Sequence, residues 1–325
     1  MSNTEPRPAE TVCAGRPEPG IEVIEARRVP LGGPRAMEVS RTLPTRDRSM
    51  IGAWCFADHY GPEDVAVSGG MRVLPHPHTG LQTVSWLFEG FIEHRDSAGV
   101  RAEVRPGQLN LMSAGRGISH SEVSTPETAI LHGVQLWLAL PERNRHGENG
   151  FEFYAPNPVG LTDGRGAPAG SAKVFLGTLA GSASPVPTAT PVLGAELSLL
   201  PGAAVTLSVD PRFEHGALLD AGALTLAGVP LERAQLGYAG PGRAELDLRN
   251  PGAVPARLIL LGGTPFDEDI VMWWNFMGRS HDEIAAYRAQ WEGRDHRFGT
   301  VDGWGDADRI PAPPLPRARL RPRRR

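Results

Sequence analysis

"VLPHPHTGLQTVSWLFEG", Val73 to Gly90, sets two histidines on either side of a proline and then runs into strand-forming residues. In an extended chain, residues two apart point to one side. His76 and His78 therefore face together, and Pro77 faces away. Proline has no N–H for a ladder and is accepted at the start of a strand or on an edge. The triplet reads as two imidazoles aimed one way at a strand entrance. The other reading is a surface turn with two solvated histidines, and the rest of the chain has to separate them.

Outward from this stretch the pattern is short and apolar: "LNLMSAG", "LHGVQLWLALP", "AKVFLGTLAG", "VTLSVD", "ALLDAGALTLAG", "ARLILLGG". The 39 glycines and 31 prolines punctuate these segments throughout the 325 residues. Short strands with turn signals about every ten residues predict an all-β sandwich or barrel. Ser280 to Gly293 is the one helical stretch. Ser280 is placed to cap it, Glu283 sits at capping-box spacing and Gly293 ends it. Ile284, Tyr287 and Trp291 share a face suited to packing.

Residues 155–172 are Gly/Pro-rich without an apolar period and are expected to form a linker. The halves on either side share a cadence: "LFEG" (87–90) with "LDAG" (219–222), "LMSAGRG" with "LGYAGPG", "VQLWLALP" with "ARLILLGG". This predicts two related β-domains, at 21–154 and 173–308. Residues 1–20 and 309–325 are expected to be disordered tails. The second tail, "RIPAPPLPRARLRPRRR", is basic enough to touch nucleic acid or an acidic partner, although a solvated tail is the simpler expectation.

Composition excludes several classes. Hydrophobic residues make up 40 % and the net charge is −4, so the bulk balance does not point to nucleic acid or an anionic membrane. No apolar run approaches the roughly 20 residues of a membrane helix, and the polar N-terminus does not read as a secretory leader. Cys13 and Cys55 make no disulfide framework, so the cytoplasm is the expected compartment; the expected state is a monomer. Lys173 is the one lysine and lies outside any phosphate-loop context. There is no Gly-x-Ser-x-Gly elbow and no Cys-x-x-Cys pair.

The second half of the site is "PGQLNLMSAGRGISHSEVS", Pro106 to Ser124. After a strand and a glycine-rich bend come His120 and Glu122, again two apart. Two such pairs in neighbouring barrel strands can converge. Imidazole suits iron, zinc, copper and nickel alike, and the carboxylate shifts the preference toward harder ions such as manganese. A structural zinc site would more usually carry thiolates, so the set favours a working metal.

"PHPHTGLQTVSWLFEG", "HRDSAG", "PGQLNLMSAGRGISHSE", "VQLWLALP" and "TPFDEDIVMWWNFMGRSHDEIAAYRAQWEGRDHRFG" together resemble the pirin family of the cupin superfamily, over roughly residues 22–300. The resemblance implies a bicupin: two antiparallel β-barrels face to face, with metal in the first and a short C-terminal helix. By position it implies His76, His78, His120 and Glu122 as ligands, and iron as the metal. Many bacterial members resemble quercetin 2,3-dioxygenases, which open a flavonol ring with dioxygen. Others act as regulators through a protein partner. On the enzymatic reading, a flat aromatic substrate coordinates the metal through adjacent oxygens and Glu122 accepts its proton. On the other, iron changes oxidation state and alters a partner-binding surface.

This chain departs from the family pattern at Gln82, where a glutamate is usual. The expected consequence is a lost outer acceptor for a ligand imidazole. The basic tail also lies beyond the family's usual length. The second barrel is expected to be metal-free: Ser208 and Asp210 match the first histidine pair, His215 matches no ligand, and Glu245 and Asp247 leave a weak oxygen-ligand option. Elsewhere, Asp58 and His59 are expected to hydrogen-bond each other. His94 and Asp96 read as a hairpin tip, His132 as a satisfied histidine, and Arg116 as a pocket-rim residue. Of Trp273 and Trp274, one is expected to pack inward.

Overall fold

The computed structural model describes residues 20–31 and 37–322. The expected N-terminal tail lies outside these residues except for Gly20, as do Cys13 and the last three arginines. Each half of the chain builds a seven-stranded and a four-stranded antiparallel sheet. In the first half the large sheet runs, in spatial order, through Gly150–Tyr154, Leu109–Ser113, Leu81–Glu89, Ile130–Ala139, Trp54–Asp64, Met37–Leu43 and Arg27–Leu31. The small sheet runs through Arg72–His78, Ile118–Ser124, Ile92–Asp96 and Arg101–Val104. The second half repeats the plan, and the paired sequence segments occupy matching places. "LFEG" and "LDAG" end the strands Leu81–Glu89 and Glu214–Ala221, and "VQLWLALP" and "ARLILLGG" fill the neighbours Ile130–Ala139 and Ala256–Gly263.

The two barrels pack face to face through their large sheets. Trp54, Trp86, Phe175, Leu218 and Ile259 share one buried cluster that crosses between them. Strands buried on both faces must satisfy their polar atoms within the protein. Trp54 Nε1–H accordingly donates to Leu193 O and Gly262 O at 3.1 Å each, and Trp86 Nε1–H to Glu196 Oε2 at 2.7 Å.

The ends of the chain cross over. Glu22–Ile24 pairs with Leu236–Ala239 and so joins the second barrel's sheet. The helix His281–Glu292 and its surroundings pack on the first barrel: Arg145 pairs with Glu283 at 2.8 Å, and Ser119 Oγ–H donates to Phe298 O at 2.8 Å. The helix begins at the Ser280 cap as expected. Glu283, however, accepts from Arg279 N–H rather than from the cap residue, and the left-handed turn after the helix falls on Arg294, not Gly293. Ile284, Tyr287 and Trp291 are its buried face.

Two compositional expectations meet a different structure. The 155–172 stretch holds Val159–Thr162 and the start of Pro168–Leu176, a hairpin at the edge of the second large sheet. The described part of the 309–325 tail is packed along the helix, because Ile310, Ala312, Leu315 and Leu320 supply apolar anchors among its prolines and arginines.

Candidate metal centre

Arg72–His78 is the edge strand of the small sheet, which is where its two prolines are tolerated. The histidine pair closes this strand rather than opening it. The neighbouring strand Ile118–Ser124 sets His120 directly opposite His76 and Ile118 opposite His78. The ladder then slips, so that Glu122 faces Val73 and residues 74–75 bulge. The bulge frees Leu74 O, which takes the Nδ1–H of His76 at 2.9 Å. Asn275 O, from the hairpin between Val271–Trp273 and Phe276–Gly278, takes the Nδ1–H of His78 at 3.2 Å.

These acceptors fix the tautomers. A carbonyl can only accept, so Nδ1 of both His76 and His78 is protonated and each Nε2 is a lone pair. Asp96 Oδ2 lies 3.4 Å from His94 Nε2, and His94 Nδ1 lies 3.3 Å from His120 Nδ1. Carboxylate to imidazole to imidazole, this chain places the proton on His120 Nδ1 and leaves its Nε2 bare. His78 Nε2 and His120 Nε2 then meet at 3.1 Å, lone pair toward lone pair, a juxtaposition that a shared cation relieves. The ligand atoms of His76, His78 and His120 all lie within 4.8 Å of one another. Burial, the largest cause, lowers His76 to about 4 and holds His78 and His120 well below the ordinary range. All three imidazoles are therefore neutral at pH 7, the form a metal requires.

Glu122 stands beside this trio and not inside it. It groups within 4.8 Å with His120 and His94, and its carboxylate lies 3.0 Å from Ser85 Oγ and 3.4 Å from Gln135 Nε2. Burial pushes its pKa up, against the opposing hydrogen bonds. His76, His78 and Glu122 border a cavity of about 560 Å³, walled in part by Phe56, Trp137 and Trp274. Phe56 and Trp137 stack at 4.0 Å, and the edge of His78 meets Trp137 at 5.1 Å. A buried donor set beside a flat aromatic wall can hold a divalent cation and a planar ligand together.

Several expected residues sit elsewhere. Asp96 does open the hairpin turn, where its Oδ1 accepts from Ala98 N–H and Val100 N–H; beyond that expectation, it and His94 are both buried and linked to His120 Nδ1. The alternation of "IEHRD", with Ile92, His94 and Asp96 turned inward, carried that signal. Gln82 donates to Ser113 Oγ at 2.7 Å and touches no ligand imidazole; the carboxamide beside Glu122 is Gln135. Arg116 is an exposed partner of Glu148 at 3.8 Å, outside the cavity wall. Trp274, at the hairpin tip with φ 54°, lines the cavity, while Trp273 is half-buried beside it. In the second barrel Thr206, Ser208, Glu245 and Asp247 lie on the outer face, and Val205, Leu207, Leu246 and Leu248 fill the interior.

Asp58 and His59 do not bond each other, because adjacent strand residues face opposite ways. Asp58 takes a two-pronged contact from Arg41 at 2.6 and 2.7 Å. His59 joins a second histidine–carboxylate group with His132 and Asp220 at the barrel junction. There, His59 Nε2 and His132 Nε2 reach Asp220 Oδ1 at 2.7 and 2.5 Å, and Arg257 Nε–H donates to Oδ2 at 2.6 Å. Arg257 also lies 3.3 Å from His132 Nδ1, which must then accept, so Nε2 of His132 carries the proton. That tautomer turns an N–H, not a lone pair, toward the carboxylate. The group is a clamp between barrels rather than a second metal site.

The relay beneath His120 gives a direct test. In Asp96→Asn an amide N–H faces His94 Nε2, which reverses His94 and then His120, blocking His120 Nε2 with a proton. Metal affinity, measured by competition against a chelator, is expected to fall about 10- to 100-fold with the fold intact. Unchanged affinity would show that the relay does not set the tautomer.

Two jelly-roll barrels face to face, with a histidine and carboxylate group inside one, define a bicupin of the cupin class. The family model for Pirin matches residues 36–138, and that for the Pirin C-terminal cupin domain matches residues 194–299. A Pseudomonas aeruginosa protein named "Putative quercetin 2,3-dioxygenase PA1205" is 42 % identical over 97 % of this chain and 98 % of its own length. A pirin-like protein of Caulobacter vibrioides is 32 % identical over 86 % of this chain and 96 % of its own. The crystal structure of quercetin 2,3-dioxygenase from Acinetobacter baumannii superposes with a TM-score of 0.85 at 36 % identity, covering 93 % of this chain and 97 % of that one. The chain belongs to the pirin family. Among the described residues, no helix is long and apolar enough to cross a membrane.

Proposed function

We propose that this bicupin is a mononuclear iron(II) dioxygenase of the quercetin 2,3-dioxygenase type, with His76, His78 and His120 as the imidazole ligands, the offset Glu122 as the neighbouring carboxylate that reaches the metal or its ligand, and a flavonol-like aromatic as substrate. The observation that carries the reading is the convergence of three neutral imidazoles on one point beside an aromatic-walled cavity. The donors fit a divalent metal because their outer nitrogens are already engaged, which leaves Nε2 free. The E. coli pirin solved with nickel(II) shares the fold with a TM-score of 0.55 at 18 % identity, so nickel is the rival metal to exclude.

When bound, the metal supplies Lewis acidity toward a coordinated hydroxyl and a redox partner for dioxygen. The protein supplies the rest. Trp137, Phe56 and Trp274 orient the flat ring and exclude water. Glu122, made more basic by burial, accepts the substrate hydroxyl proton on a carboxylate oxygen. Ser85 and Gln135 hold that carboxylate in place before and after the transfer.

The test loads the protein with iron(II) without oxygen, then adds quercetin and air-saturated buffer, and follows oxygen uptake together with loss of flavonol absorbance. Matched uptake and loss, much reduced in Glu122→Gln at equal iron content, is the expected result. Stoichiometric iron with no uptake would overturn the enzyme reading. Binding of a protein partner only in one iron oxidation state would then favour a regulator.

A further inference from the structure

The C-terminal segment from Arg309 to Leu320 is tied down at points along its length, and two of its residues line the cavity. Ile310 N–H donates to Pro75 O at 2.9 Å. That carbonyl lies in the bulge that shapes the histidine strand, one residue before His76. Trp291 Nε1–H donates back to Ile310 O at 2.9 Å, and the Arg309 guanidinium lies 3.8 Å over the Trp291 ring. Ala312 N–H donates to Glu292 Oε1 at 2.8 Å, and Arg288 Nε–H to Pro313 O at 2.6 Å. Leu320 N–H reaches His281 Nδ1 at 3.1 Å, and Arg319 pairs with Asp282 at 2.6 Å. The segment thus runs back along the helix from its last turn to its first, and it covers the open edge of the histidine strand.

Ile310 and Pro313 border the same cavity as His76, His78 and Glu122. Their side chains have no polar atoms, so they can discriminate a ligand by size and shape, not by hydrogen bonding. We propose that residues 309–320 are a strap whose Ile310 and Pro313 form a wall of the metal pocket and limit the size of the aromatic ligand that reaches it. The proposal rests on the metal-centre reading above and goes beyond it. It makes a segment outside the matched family models, which end at residue 299, a determinant of specificity.

The strap's backbone anchors survive side-chain trimming, so the test uses the full chain. Ile310→Gly with Pro313→Gly lowers the wall, and Ile310→Trp raises it. Each protein is loaded with zinc, and its content is measured by mass spectrometry. Association of 3-hydroxyflavone, a three-ring chelator, is then compared with that of tropolone, a one-ring chelator using the same pair of oxygens. Lowering the wall is expected to speed 3-hydroxyflavone association about tenfold, and raising it to slow it by a similar factor, with tropolone changed less than about twofold. Equal 3-hydroxyflavone rates in all proteins with zinc bound would overturn the strap and leave the metal centre standing. Parallel changes for both chelators would also overturn it, as a general loosening and not a size limit. A wild-type protein that takes up no zinc would overturn the metal centre, and the strap with it.

Discussion

His78→Ala is expected to abolish stoichiometric metal binding, the largest effect of any single change at the site. His78 Nε2 is the atom held 3.1 Å from His120 Nε2, so its loss removes both a ligand and the lone-pair convergence that calls for a cation. The remaining donors, His76, His120 and the offset Glu122, no longer enclose one point from three sides. Metal content of protein purified without added metal should fall from about one ion per chain to background. A second readout follows from linkage: a ligand present at a thousand times its Kd stabilises the folded state by about 4 kcal/mol. Added metal should raise the unfolding midpoint of the wild type and not of the variant. His215→Leu is the control. That histidine is buried in the second barrel with neither ring nitrogen hydrogen-bonded, and its change should leave metal content unaltered. Full metal content in His78→Ala would move the site elsewhere.

What the sequence showed depended on whether a local period survived into the structure. Two residues apart on a strand means one face, so the His76–His78 and His120–Glu122 pairs were readable with no knowledge of the fold. The ladder between their strands then brought them together, His120 opposite His76. The bulge at residues 74–75, which sets Glu122 opposite Val73, was not readable. Long-range partners left no local trace. Asp58 finds Arg41 and His59 finds Asp220 because neighbouring residues on a strand serve opposite faces.

Composition misled most at the ends. Proline and arginine made residues 309–325 look like a solvated tail, yet a few spaced apolar residues and backbone carbonyls suffice to dock its described part on the helix. The three-residue strand Glu22–Ile24 is too short to carry a period, so its place in the other barrel could come only from the structure. The internal repeat was readable because the matched segments share an apolar cadence and two of the three pairs end in glycine.

Asp220→Asn is expected to destabilise the protein by about 3–5 kcal/mol, the cost of breaking a buried charge pair from one side. Asp220 sits in the second barrel and receives His59 and His132 from the first, so the loss falls on the junction. In the variant an amide N–H meets Arg257 Nε–H, and the guanidinium over Phe88 is left without its counter-charge. Acid probes the same group with a definite sign. Burial alone would raise the Asp220 carboxyl, but hydrogen bonds from His132 and His59 and the Arg257 charge hold it far below the ordinary carboxylate range. Its stabilisation is therefore complete above the unfolded value near 4 and is lost only as pH falls toward the depressed folded value. His59 is lowered, chiefly by burial, so below about pH 6.5 the unfolded chain takes up the proton first and stability falls. The contribution of His59 to that slope is at most about 1.4 kcal/mol per pH unit. Chemical denaturation between pH 7 and 5 should thus show a shallower acid slope in His59→Gln than in the wild type, and a large offset in Asp220→Asn already at pH 7. An Asp220→Asn protein as stable as the wild type at pH 7 would mean that the junction is held by its apolar cluster alone.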